Sequence, residues 1–252
     1  MIKIDNVTKI YGKTVAVDGV SLHVRPGECF GFLGPNGAGK TTTLKMLAGL
    51  LVPTQGAMTV AGYDIQRQAL EAKKMIGFVP DKPFIYEKLT GWEFLEFIRT
   101  IYGVDGDSGV LGMQNELISM FGLSDWLNEL VESYSHGMRQ KLVITSALIH
   151  NPKALIIDEP MVGLDARGMR QVKELFRELV KRGSTVLLST HTMATAQEIC
   201  DRIGILSKGR LVAVGTLDEL REKAGGGDLE SIFLWITERQ AQDPNGALTA
   251  QF

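Results

Sequence analysis

Short apolar runs broken by glycine and proline dominate the first third of the chain. IKIDNV near residue 2, VAVDGVSLHV near residue 15, CFGFL at 29–33 and MTVAG at 58–62 have the length and residue types of strands. Lys40–Leu51 reads as a helix behind a glycine-rich turn, and IGFV at 76–79 as a further strand that Pro80 ends. From about 84 to 150 the period becomes helical. TGWE at 90–93 fits a capping box, and FLEFIRTIY carries an apolar stripe on from it. Strands and helices then alternate: ALII at 154–157, a helix near 167–182, TVLLST at 185–190, a helix near 193–200, and a hairpin, RIGILSKGRLVAVG, turning at Lys208–Gly209. That alternation predicts an α/β fold, a largely parallel sheet covered on both faces, with the helical 84–150 stretch inserted into it. Thr216–Glu219 is a second capping box and GGGD at 225–228 a flexible joint. Beyond it Leu229, Ile232, Phe233 and Ile236 form the apolar face of a docking helix, and the last dozen residues read as a disordered tail.

Composition narrows the class. A chain of 252 residues, 44% hydrophobic and 22% charged, can bury one α/β core with an inserted piece. A formal charge of -2 argues against a generally basic nucleic-acid binder. Cys29 and Cys200 match no metal spacing and read as small buried hydrophobes of a reduced compartment. The N-terminal MIKIDNVTKIY carries charges where a signal peptide needs an apolar stretch, and no uncharged apolar run approaches the ~18 residues of a membrane span. The chain is therefore expected to be soluble and to meet a membrane only through a partner.

Chemistry is concentrated at strand ends. GPNGAGKT at 34–41 satisfies G-x-x-x-x-G-K-[ST] between a strand and a helix. Glycines there let successive backbone N–H groups turn toward phosphate oxygens, and the helix start adds positive potential. Lys40 can reach terminal phosphates, and the Thr41 hydroxyl can join Mg²⁺. Asp158 and Glu159 follow ALII, and two adjacent carboxylates at a strand end need a cation nearby. Because side chains alternate along a strand, the pair should divide its work: Asp158 to the metal shell, Glu159 to polarising the attacking water. His191 sits just past TVLLST; by itself a lone histidine there is more often structural than functional. Tyr11, ending the first strand, is open between core aromatic and base-stacking platform. Ser135, before the helical run HGMRQKLVITSALI, is either a plain N-cap or half of an active site.

Taken in this order, the residues resemble the nucleotide-binding subunit of an ATP-binding cassette (ABC) transporter, with the similarity running from about Ile2 to Gly215 and a weaker echo to about Ile236. The resemblance makes GPNGAGKTT (Gly34, Pro35, Asn36, Gly37, Ala38, Gly39, Lys40, Thr41, Thr42) the Walker A motif, ALIIDEP at 154–160 Walker B and GLD at 163–165 the D-loop. It likewise makes Tyr11 the adenine-stacking aromatic, His191 the switch histidine and YSHGM at 134–138 the signature. It implies a P-loop NTPase (RecA-like) core with an N-terminal antiparallel β-subdomain and an inserted α-helical signature subdomain. Residues 1–225 would form the ATPase domain, with the core at about 1–81 and 152–225 and the insertion at about 82–151; residues 226–252 would form a short helix and tail.

The resemblance further implies ATP and Mg²⁺ as cofactors, ATP hydrolysis and transport driven by dimerisation. Partners would be a second ABC subunit, identical or homologous, bound head to tail, and integral membrane subunits at the cytoplasmic face of the cell membrane, gripping a groove near Phe84–Tyr86. Ser135 and Gly137 would then face a nucleotide held by the other cassette. Three departures stand out. His136 and Met138 replace a glycine and the glutamine of the usual LSGGQ signature, and Asp81 stands where a glutamine is usual. Asp81 can ligate Mg²⁺ but cannot donate an amide hydrogen bond. Together the departures resemble the bacterial export-type branch, in which two six-helix membrane subunits pair with two cassettes. Other classes fit less well. A small-molecule phosphotransferase would want an arginine cluster that 84–150 lacks, and a soluble ABC ATPase acting on ribosomes or DNA would want two fused cassettes or long coiled-coil arms. A regulatory module without turnover would have no use for intact Lys40, Asp158, Glu159 and His191.

Overall fold

The computed structural model describes the backbone of residues 1–242 and the side chains of residues 1–237. The chain opens with β1 (Ile2–Tyr11), β2 (Thr14–Val24), β3 (Cys29–Leu33) and α1 (Lys40–Leu47), followed by β4 (Gln55–Val60), β5 (Tyr63–Asp64), α2 (Ala69–Lys74) and β6 (Ile76–Val79). Three helices come next: α3 (Gly91–Tyr102), α4 (Ser108–Phe121) and α5 (His136–Leu148). The sequence closes with β7 (Ala154–Asp158), α6 (Ala166–Lys181), β8 (Thr185–Thr190), α7 (Met193–Ile199), β9 (Arg202–Ser207), β10 (Arg210–Gly215), α8 (Leu217–Ala224) and α9 (Leu229–Gln242).

Two sheets result. The first, in the order β2-β1-β4-β5, is antiparallel. Its alternating Ile2, Ile4, Val17, Val20, Val24, Met58 and Val60 are buried. They pack with α1 against Phe30 and Phe32 of the second sheet. That sheet runs β10-β9-β3-β8-β7-β6, parallel throughout except for the β9–β10 hairpin. Its other face, with Leu155, Ile157, Val186 and Leu188, joins α5, α6 and the helices that follow β6 in one core. Strands buried on both sides have no use for alternation, which is why CFGFL, ALIID and TVLLST are apolar almost throughout. The α/β core, the antiparallel sheet at the N-terminus and the helices between β6 and β7 agree with the expected fold class.

Both expected capping boxes are present, Thr90 with Glu93 and Thr216 with Glu219. Leu229, Ile232 and Ile236 of α9 are buried beside Leu220 and Ile203. The expectation for the tail beyond Gln242 lies outside the described residues. Three boundaries differ from the sequence reading. α1 stops at Leu47 rather than Leu51, because Gly49 takes φ 67 and the Gly49 and Leu50 amides donate back to Met46 and Lys45, a Schellman closure. The fourth strand occupies Gln55–Val60 rather than 58–62, because Ala61 (φ 51) and Gly62 (φ 89) already form the turn into β5. α2 was not foreseen: six residues burying only Ala72 leave no periodic stripe to read. Among the described residues no helix is long and apolar enough to cross a membrane.

Candidate functional site

The site begins where β3 ends. A side chain at Gly34 would run into the backbone carbonyl of Leu206 in β9, so the chain can turn there only as glycine. Gly39 precedes α1 at φ 102, and a Cβ on it would lie 2.6 Å from the Ala16 carbonyl oxygen. No side chain caps α1 and its first turn holds no acid, so the positive helix end is left for an external anion. Lys40 is buried, and its Nζ donates to the loop carbonyls of Gly34 (2.6 Å) and Pro35 (3.2 Å). Burial lowers the Lys40 pKa, while the neighbouring Glu159 and Asp158 carboxylates pull it the other way.

Around this loop lies a cavity of about 400 Å³. Residues 36–42 form one wall; Asp81, Asp158, Glu159 and His191 form the other, with Ala16 and Val162 at its margins. The parallel register makes this convergence inevitable. β7 and β8 pair Asp158 with Ser189, so the residues just past those two strands emerge side by side beside the β3 turn. Asp158 is 2% exposed and accepts a hydrogen bond from the Ser189 hydroxyl. Glu159 leaves the strand with φ 52, and its carboxylate accepts from His191 Nδ1 at 2.9 Å. The two acids do occupy different environments, though the cause is not strand alternation. β7 ends at Asp158, and the left-handed turn at Glu159 swings the second carboxylate toward His191.

Ser135, Gly137 and Tyr11 are not part of this wall. Ser135 caps α5, its Oγ accepting from the Met138 amide at 3.3 Å. Gly137 follows one residue into the helix. Tyr11 is 44% exposed at the end of β1, with Lys9 Nζ 5.1 Å from its ring centroid. Gly34 and Pro35 contribute through the carbonyls that hold Lys40. Sequence reasoning missed Ser189, Ala16 and Val162. Only Ser189 left a trace, as the polar residue one before the end of an apolar strand.

A buried lysine under a glycine loop, facing a carboxylate–imidazole pair across one cavity, is the arrangement of a nucleotide-triphosphate site. The family model for the ABC transporter matches residues 17–162. The chain belongs to the ABC transporter family. It is 38% identical over 226 residues to the linearmycin resistance ATP-binding protein LnrL of Bacillus subtilis, covering 90% of this chain and 72% of that one. It is also 38% identical to the daunorubicin resistance ATP-binding protein DrrA3 of Streptomyces coeruleorubidus, covering 92% and 73%. Among solved structures, an ATP-binding subunit of an ABC transporter superposes with a TM-score of 0.89 at 33% identity over 94% of this chain and 99% of that one. The ATP-binding cassette MJ0796, in a dimeric post-hydrolysis state bound to ADP and Pi, matches with a TM-score of 0.78 at 28% identity over 86% and 99%. This ABC chain is an ATP-binding and ATP-hydrolysing subunit of a transporter.

Proposed function

We propose that two such cassettes, two copies of this chain or this chain and a homologue, close head to tail over two molecules of Mg²⁺·ATP. The observation that carries the reading is a separation. Lys40, Asp158, Glu159 and His191 share one cavity, whereas the capped helix start at Ser135 lies outside it and is free to serve another chain's nucleotide. In this reading Tyr11 stacks on adenine, and residues 34–42 wrap the phosphates with backbone N–H groups and Lys40. Glu159 holds the attacking water, and His191, fixed by its hydrogen bond to Glu159, faces the γ-phosphate. Ser135 and Gly137 of the opposite cassette complete the cage.

The donor set fits Mg²⁺. The Thr41 hydroxyl and, across the cavity from it, the Asp158 and Asp81 carboxylates offer hard oxygen donors. Mg²⁺ characteristically takes only one or two carboxylates and fills its shell with phosphate and water. When bound, the ion neutralises charge on the phosphate oxygens. Asp158 is held for this role by Ser189.

We further assign residues 1–81 and 152–225 to the ATPase core, 82–151 to the signature insertion and 226–252 to a C-terminal appendage. Integral membrane subunits would dock near Phe84 and Tyr86, which are 91% and 61% exposed just after Asp81, and place the cassettes at the cytoplasmic face of the membrane. The names of the relatives, two of them resistance proteins, favour the export-type branch. The test is Glu159→Gln, which should keep ATP binding, nearly abolish phosphate release and trap the dimer; unchanged release would remove Glu159 from its role.

A further inference from the structure

The loop that joins β7 to α6 enters the nucleotide cavity through Glu159 and Val162. Its next residue, Gly163, leaves the cavity and meets the start of α5. A Cβ built on Gly163, which has φ 78, would overlap Cδ2 of His136 and lie 2.7 Å from its Nε2. Beside it, a Cβ on Gly137 would lie 2.9 Å from the Gly163 carbonyl oxygen. His136 is otherwise an exposed side chain at the first position of α5, and its ring rests on this backbone. The usual signature has a glycine there, which would leave only the Gly137 contact. In this chain a rigid ring fills the gap between the loop carrying Glu159 and the helix start carrying Ser135.

We propose that His136 is a positioning residue that couples the two nucleotide sites of the dimer, a role that rests on the head-to-tail reading above. The loop serves the chain's own nucleotide; the start of α5 serves the partner's. A ring wedged between them makes any shift of the loop at one site displace the helix end that completes the other. Occupancy of one site is thereby energetically linked to closure of the second, in both directions. A glycine at 136 would uncouple them without altering either wall of the chain's own cavity, which His136 does not line.

The experiment uses the full chain carrying His136→Gly and His136→Phe. The readouts are ATP titration of the monomer, ATP-driven dimerisation in a Glu159→Gln background, and the Hill coefficient of ATP hydrolysis. His136→Gly should bind ATP as a monomer like the parent yet show a Hill coefficient falling toward unity, with kcat lowered about three- to tenfold and KM changed less, the size expected for loss of one coupling contact. His136→Phe keeps a ring on Gly163 and should retain cooperativity. Parental cooperativity in His136→Gly or loss of it in His136→Phe would each overturn the coupling while leaving ATP-driven dimers in place. Absence of dimers even in the Glu159→Gln parent would instead bring down the head-to-tail reading, and this proposal with it.

Discussion

The two helix starts that carry this protein's signature chemistry are built in opposite ways. α1 begins at a left-handed glycine with no side-chain cap, and beside it lie buried Lys40 and the end of an almost fully buried strand. α5 begins at an exposed serine whose hydroxyl already accepts a hydrogen bond from the Met138 amide. An uncapped helix end is costly unless a ligand supplies the missing acceptors, and the phosphate cradle is shaped to receive one within its own chain. The α5 start needs no ligand, and in the proposed head-to-tail dimer it serves the nucleotide of a second cassette. In that reading, what separates the regions is whether the site is finished inside one chain. The difference predicts that variants at the cradle weaken nucleotide binding by the monomer, whereas variants at the α5 start leave that binding unchanged and impair dimerisation.

The largest expected effect belongs to Glu159→Gln. Losing the proposed water-orienting carboxylate should slow phosphate release by roughly 10²-fold or more, as for removal of a general base. Monomer ATP affinity, measured by titration, should stay within about twofold of the parent, since the phosphate cradle is untouched. A loss of affinity as large as the loss of rate would mean that Glu159 acts in binding.

The far end of α5 offers a different kind of break. His150, just beyond the C-terminal cap, is stacked 3.7 Å from the Tyr102 ring, and burial lowers its pKa to about 4 from 6.5. The folded state therefore resists a proton that the unfolded chain accepts. Stability is fully present above pH 6.5 and falls as pH drops toward 4, by roughly 1–2 kcal/mol for a ring that is only partly buried. Thermal melts across that window should show a steeper decline for the parent than for His150→Phe, which keeps a ring on Tyr102. Parallel declines would contradict the assignment.

Lys40→Ala should weaken nucleotide binding by about ten- to a hundredfold, the loss of one or two charge-assisted bonds, with the fold intact by circular dichroism. Normal affinity would mean the glycine loop alone does the work. Ser135→Ala is the mildest. It removes a helix cap worth about 1 kcal/mol and should lower the melting temperature by a few degrees, while ATP titration of the monomer is unchanged. A drop in monomer affinity would place Ser135 in its own chain's cavity and erase the contrast between the two helix starts.

The contrast was readable in the sequence only in part. The strand, glycine loop and helix from Cys29 to Leu47 are local, so spacing alone places Gly34, Gly39, Lys40 and Thr41. The capping boxes at Thr90 and Thr216 were legible for the same reason. Ser189 beneath Asp158 was not, because it depends on the register between two strands whose aligned residues are 31 apart in the chain. Nor could periodicity show the left-handed turn at Glu159 or the imidazole of His136 against Gly163; both are products of packing. Short elements such as α2 and β5 bury too little to leave a pattern.

The most direct measurement is the mass in solution of the Glu159→Gln chain, by analytical ultracentrifugation with and without Mg²⁺ and ATP. A nucleotide-dependent doubling that Ser135→Arg abolishes, with ATP still bound to each monomer, is the predicted result. A particle that stays single with saturating nucleotide, alone and when mixed with a homologous cassette, would contradict it.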